Sequence, residues 1–329
     1  MPQQPSLPTS NDKRYVADLT VGERVRSTFL LMRCDVRTRQ SGDSYLVLEL
    51  SDKSGRIGGR MWDNAEETVA HVSSGDYVWV EGVVDTWQSN AQVKVDLMRP
   101  AGEDVDPRDF LPASAVDPAE MYEQLLELVG TVRNPHLHSL LDKTFSDPEI
   151  ARRFQRAPAG IKLHHAYVGG LLEHTLSVVR LADKVASHYP FLDRDLLLTG
   201  AFLHDLGKVW ELSYERAFDY TDEGRLVGHL LLETEWLSKR MDEIEGFPPP
   251  LRMHLMHLLA SHHGVHEHGA PVVPVRPEAL VLHYVDDLDS KMVAINTAIA
   301  EATASGEAAA YSPSLGRRIV RRGWDDPEG

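Results

Sequence analysis

Thirteen of the sixteen histidines of this 329-residue chain fall between His164 and His283. Within that interval they alternate with aspartates in a definite series. His174 stands in Leu172-Glu173-His174-Thr175, and thirty residues on comes His204-Asp205-Leu206-Gly207-Lys208. Gly228-His229 follows, then Ser261-His262-His263-Gly264, then Tyr284-Val285-Asp286-Asp287-Leu288-Asp289. Imidazole and carboxylate together suit Mn, Fe, Co, Ni or Zn. A single buried histidine or aspartate is more often a hydrogen-bonded structural group than a ligand. The joint series is what points to a metal.

The elements must then bring these groups together. Gly207 ends the apolar run of Leu196, Leu197, Leu198, Ala201, Phe202 and Leu203, so His204 and Asp205 lie at a helix end. There the imidazole can serve one ion while the two carboxylate oxygens reach a second. Asp286 lies beside Val285 and Leu288 in an apolar helix, where a carboxylate needs a buried partner and a cation is the natural one. Asp289 shares roughly that face and, with Asp287, is expected to support the ligands from outside. Lys208 is placed to contact a phosphate oxygen or assist a leaving group, or else to satisfy a helix C-terminus. Helices are expected over 167–187, 194–206, 226–245, 250–261 and 277–303, where apolar residues recur at helical spacing. Asp117-Pro118 supplies an N-cap and a proline at the first helical position.

The N-terminal part has a different period. Arg24–Arg37, Ser44–Ser51, Gly55–Trp62, Asp76–Trp87 and Gln92–Met98 read as five strands separated by turn signals, with a short helix over Asn64–Val72. Five strands with a helix after the third is the order of an OB barrel. In the third strand Arg56, Gly58, Arg60 and Trp62 alternate to one face, and Ile57 and Met61 to the other. Two arginines and a tryptophan on one face suit a single strand of nucleic acid. Lys94 on the last strand and Trp87 add candidate contacts, whereas Tyr45, Tyr77 and Trp79 read as packing. His164 and His165 are further candidates for contact with the strand.

The histidine series resembles the HD phosphohydrolase superfamily, whose signature of a His, a His-Asp pair and a distant Asp falls on His174, His204, Asp205 and Asp286. Members with two metals carry more histidines in between, and His229, His262 and His263 occupy that interval. With the OB-like domain, and with His164-His165-Ala166-Tyr167 and Gly169-Gly170-Leu171-Leu172-Glu173-His174-Thr175 in place, most of the chain, both domains included, resembles the YhaM-type 3′→5′ exoribonucleases. The Gly-Tyr-Pro triplet of the cyclic-di-GMP-cleaving branch is absent.

The resemblance implies a multidomain fold, an all-β OB barrel followed by an all-α HD domain. It implies divalent metal, two ions with Mn foremost and Fe, Co, Ni, Zn or Mg as alternatives, with His262 and His263 left open as ligands. It also implies stepwise hydrolysis of single-stranded RNA, or DNA, to nucleoside 5′-monophosphates, with Asp205 and Lys208 at the chemistry. Two ions would acidify a water and clamp the scissile phosphate. The alternative is an HD-type phosphatase or nucleotidase for small nucleotides, with the OB domain as a docking module. The strand needs a path to a closed helical site, which neighbouring subunits of a homo-oligomer can supply.

Composition sets the outer limits. The expected organisation is a polar N-terminus over 1–13, the OB domain over 14–100, a linker over 101–117, the HD domain over 118–310 and an Arg-rich tail over 311–329. A formal net charge of −16 argues against broad electrostatic adhesion to nucleic acid, so a polyanion must be held by local basic groups, stacking or metal. Cys34 is the single cysteine, which excludes a disulfide framework and fits a reducing cytoplasm. No apolar run is long enough for a membrane span, so no membrane partner is expected.

Overall fold

The computed structural model describes residues 13–39, 41–87, 90–102, 105–161, 165–214, 218–304, 309–312 and 315–320. The chain divides into two compact units, with the division between Pro112 and Ala113. In the first unit β1 (Arg24–Thr38), β2 (Ser44–Asp52) and β3 (Gly55–Met61) are followed by the short helix α1 (Ala65–Val69). Then come β4 (Tyr77–Trp87) and β5 (Asn90–Pro100). They close a barrel in the order β1-β2-β3-β5-β4, with β3 and β5 parallel and the other pairs antiparallel.

Strand β1 closes the ring because it serves two neighbours. Arg24–Leu30 pairs with β4 and Leu30–Thr38 with β2. A bulge between Leu31 and Arg33 bends the strand from one partner to the next. A second bulge lies at Glu81/Gly82, and a Cβ on Gly82 would stand 2.2 Å from the carbonyl oxygen of Lys94. Alternation does the rest: Val25, Phe29, Leu46, Leu50, Ile57, Met61, Val80 and Val93 fill the interior. The stretch expected as a linker is shared between the units. Pro107–Asp109 forms a 3₁₀ turn, the Phe110 ring lies tilted against Tyr77 with ring centres 4.6 Å apart, and Asp117 caps the first helix of the second unit.

That unit opens with three helices, each begun by an acidic or amide cap and a proline. They are α2 (Pro118–Val129) after Asp117, α3 (Pro135–Phe145) after Asn134, and α4 (Pro148–Phe154) after Asp147. Each cap side chain accepts a backbone N–H of the first turn, and each proline sits where no N–H is needed. Next come α5 (Gly170–His188), α6 (Arg194–Leu203), α7 (Lys208–Glu211), the two-stranded pair β6 (Leu212–Ser213) and β7 (Asp219–Tyr220), and α8 (Asp222–Leu226). The chain continues with α9 (His229–Asp242), α10 (Pro249–Ser261) and α11 (Pro277–Ala304). Leu172, Val179, Leu197, Leu258 and Leu282 join these helices in one core, and Gly200 lets Leu258 approach within a side chain's width. The Arg-rich segment expected as a loose tail contains a hairpin instead. In it β8 (Ala309–Ser312) pairs with β9 (Arg317–Val320), and Ala310 packs on Ala298 and Ala302 of α11. No helix among the described residues is long and apolar enough to cross a membrane.

Candidate metal centre and nucleic-acid face

Five helices, α5, α6, α9, α10 and α11, deliver the histidines and aspartates to one place. His174 comes from the first half of α5, and His204 and Asp205 from the turn between α6 and α7. His229 opens α9, His262 and His263 follow α10, and Asp286 lies in α11. They form two groups. The ligand atoms of His174, His204 and Asp286 lie within 4.8 Å of one another, and so do those of His229, His262 and His263.

Asp205 stands between the groups and divides its oxygens. Oδ2 is 3.5 Å from Nε2 of both His174 and His204. Oδ1 is 3.7 Å from Nε2 of His229 and 3.8 Å from Nε2 of His262. Lys208 Nζ donates to Oδ2 at 2.7 Å. Burial opposes ionisation of Asp205, but Lys208 and the surrounding imidazoles outweigh it and hold the carboxyl well below its usual range. The same balance keeps Lys208 charged.

The imidazoles are oriented by their outer nitrogens. His204 Nδ1 donates to the Ala201 carbonyl at 2.9 Å and His262 Nδ1 to the Leu259 carbonyl at 2.8 Å. His229 Nδ1 donates to Glu211 at 3.0 Å, and His174 Nδ1 to Asp289 at 2.8 Å. Four inner nitrogens are thereby left as lone-pair donors. Among the described residues, the buried Nε2 of His229, Nε2 of His262 and Nδ1 of His263 have no hydrogen-bond partner. An unpaired buried nitrogen is costly unless something else binds it. Burial, with the neighbouring imidazoles, pushes His262 well below its ordinary value and His263 down to about 4, so both are neutral and ready to ligate. At His174 burial is outweighed by Asp286, Asp289 and Asp205, and the ring is raised to about 9. Carboxylates that favour a proton at Nε2 equally favour a cation there. The donor set fits divalent metal.

Gly207 has a different reason from the expected helix break. Its φ of −58° is ordinary helical backbone, but a Cβ would lie 2.2 Å from the carbonyl oxygen of His229. The glycine lets α9 pass close enough to aim His229 at Asp205. Glu233, one turn further along α9, is buried and accepts the Gly207 N–H at 3.1 Å. Burial raises its carboxyl well above the usual range. Neither Glu211 nor Glu233 is announced by any motif. Asp289 sits on the expected face, and Ser177 and His165 share it as an acceptor.

His165 needs correction. Expected to touch the strand, it is only 3% exposed, with Nε2 3.2 Å from Asp289 and Nδ1 2.8 Å from the Tyr167 hydroxyl. A ring so enclosed is out of reach of a nucleic acid. His164 lies outside the described residues.

In the barrel, β3 alternates as expected: Ile57 and Met61 are buried, and Arg56, Gly58, Arg60 and Trp62 lie on the other face. Tyr45, expected as a packing residue, stacks on Trp62 with ring centres 4.8 Å apart. The guanidinium of Arg39 lies 4.7 Å from the Trp62 ring, and that of Arg60 lies 4.2 Å from the ring of Trp87. Lys94 is exposed and sits opposite Arg60 in the β3–β5 register. Arg56 is paired with Glu49 at 3.1 Å, which spends its charge locally.

Residues 171–291 match the HD domain family, and residues 33–101 match the OB-fold nucleic acid binding domain family. The 3′-5′ exoribonuclease YhaM of Bacillus velezensis is 37% identical over 281 residues, covering 85% of this chain and 88% of that protein. This chain belongs to the YhaM family. YhaM of Bacillus subtilis, also a 3′-5′ exoribonuclease, is 35% identical over the same shares. The match to YhaM spans both units, so barrel and helical domain are inherited together. The HD match runs from Leu171 to Lys291 and contains His174, the His-Asp pair, all three further histidines and Asp286.

Proposed function

We propose that this protein is a two-metal 3′→5′ exonuclease that shortens single-stranded RNA and releases nucleoside 5′-monophosphates. The observation that carries the two-metal reading is the divided carboxylate. Each oxygen of Asp205 faces a different three-ligand group, with His174, His204 and Asp286 on one side and His229, His262 and His263 on the other. On this reading both His262 and His263 are ligands. Divalent ions, of which Mn²⁺ suits this mixture of imidazole and carboxylate, would supply Lewis acidity to the phosphate and lower the pKa of a water.

The chain's own groups do the remaining work. Asp205 fixes the spacing of the two ligand groups. Lys208 neutralises Asp205 through one N–H and keeps donor capacity for a phosphate oxygen of the substrate. Glu211 and Asp289 accept from Nδ1 of His229 and His174 and orient the two rings, so that Nε2 of each is turned inward. On the barrel, Tyr45, Trp62 and Trp87 offer faces on which bases stack, and Arg39, Arg60 and Lys94 offer positive charge. This local supply meets the demand set by a chain of net charge −16. The match to curated YhaM exoribonucleases along 85% of the chain supports RNA as substrate and the 3′ end as the point of attack.

The test is a gel assay on 5′-labelled single-stranded RNA with Mn²⁺ or with EDTA. A ladder that shortens from the 3′ end only with Mn²⁺ is the expected result. Release of phosphate from mononucleotides with the RNA left intact would replace this reading by a phosphatase.

A further inference from the structure

His165 is buried, is not one of the proposed ligands, and holds an unfavourable backbone conformation. Its φ is 51°, in the left-handed region that glycine or asparagine adopts more readily. The surrounding turn enforces it. The His165 carbonyl accepts the N–H groups of Ala159 and Tyr167, and a Cβ on Gly170 would stand 2.1 Å from that carbonyl oxygen. A histidine kept where a smaller residue fits the backbone better must be there for its ring.

The ring joins a chain of hydrogen bonds. The Tyr167 hydroxyl is 2.8 Å from Nδ1, and Nε2 is 3.2 Å from Asp289 Oδ2. That oxygen is the one His174 Nδ1 reaches at 2.8 Å, while Ser177 donates to the other oxygen, Oδ1. One choice of tautomers links them. Tyr167 donates to His165 Nδ1, His165 Nε2–H donates to Asp289, and His174 Nδ1–H donates to Asp289. His174 Nε2 is then turned inward, 3.2 Å from Asp286. Among the described residues the other ligand group has no such chain. His229 is backed by Glu211, and His262 by a backbone carbonyl.

We infer that His165 is a positioning residue for the His174 metal subsite, acting through Asp289. The chain Tyr167–His165–Asp289 fixes the tautomer and angle of His174, and the histidine-rich subsite does not depend on it. This inference rests on the two-metal reading above.

The test is equilibrium dialysis of metal-free full-length protein against Mn²⁺, for wild type, His165→Asn and Tyr167→Phe. Asparagine tolerates the left-handed backbone but cannot span from Tyr167 to Asp289. The phenylalanine variant removes one hydroxyl and keeps the ring packed, so it remains informative if His165→Asn fails to fold. Wild type is expected to bind two ions. In His165→Asn one ion binds as in wild type and the other about 10–100-fold more weakly. Tyr167→Phe shifts the same ion in the same direction by less. Wild-type affinity at both subsites in the variants overturns the inference, and so does an equal loss at both, which is what a merely structural role would give. Wild type binding fewer than two ions overturns the two-metal reading together with it.

Discussion

Replacing Gly207 by alanine tests whether the close approach of α9 sets the geometry of the histidine-rich subsite. The added methyl carbon would lie 2.2 Å from the His229 carbonyl oxygen, 2.7 Å from its carbon and 2.9 Å from its Cα. Real contacts of this kind essentially never fall below 3.0 Å, so the two backbones must part by at least 0.8 Å. All three atoms belong to the residue being displaced, and none is the far end of a flexible side chain. His229 therefore moves as a unit, away from Asp205 Oδ1 at 3.7 Å and out of line with Glu211. A misplacement of about 1 Å at a catalytic group is worth roughly 100-fold in rate. Overpacking of this kind costs about 1–3 kcal/mol of stability. Steady-state turnover of labelled single-stranded RNA at saturating Mn²⁺ should fall by about that factor, with one metal ion lost per chain and the barrel's RNA affinity unchanged. Full turnover with both ions bound in a folded Gly207→Ala protein would refute the reasoning, because it would show that the position of α9 does not matter to the chemistry.

Three other outcomes follow from the geometry. Metal at a hundredfold excess over its dissociation constant should stabilise the folded protein by about 2.7 kcal/mol, so EDTA should lower the midpoint of the helical domain in calorimetry by roughly 5–10 °C. Trp62→Ala should weaken binding of long single strands by about 1–3 kcal/mol, the worth of one stacked base, and leave the cleavage rate of a dinucleotide unchanged; a titration followed by tryptophan fluorescence reads the first effect. Lys13 lies over the Phe110 ring, and burial lowers its pKa from 10.5 to about 8. The folded barrel therefore binds fewer protons than the unfolded chain between those values, and stability attributable to Lys13 rises with pH through that window. Lys13→Met should remove this rise in urea titrations at pH 7.5 and 9.5, and an unchanged slope would contradict it.

The sequence announces whatever depends on period or on adjacency. Strand alternation in Arg56–Trp62 separated the buried from the outward residues because β-structure repeats every two residues. The His-Asp pair and the Asp-rich helix were legible because ligands need particular side chains. What stayed hidden depends on contacts between distant segments. Glu211 backs His229 because a turn folds back across 18 residues, and nothing local to either residue marks the pair. His165 looked like a surface histidine because neither its left-handed backbone nor its burial under Asp289 has a sequence period. Gly207 was rightly singled out, but as a helix terminator; its purpose is the passage of α9, which lies 22 residues away in the chain. Arg39 and Tyr45 join the aromatic face only because the barrel closes, and the hairpin at Ala309–Val320 was masked by its charge.

The parallel pairing of β3 with β5 has a consequence for how the protein is made. A barrel that relies on this pair stays open until the last strand, ending at Pro100, is available. During synthesis the barrel can therefore close only once the strand ending at Pro100 has left the ribosome. The ligands, by contrast, run from His174 to Asp286, so no metal subsite is whole until most of the second unit has been synthesised. The nascent chain thus gains a finished surface for binding single strands well before it has any means of cutting them.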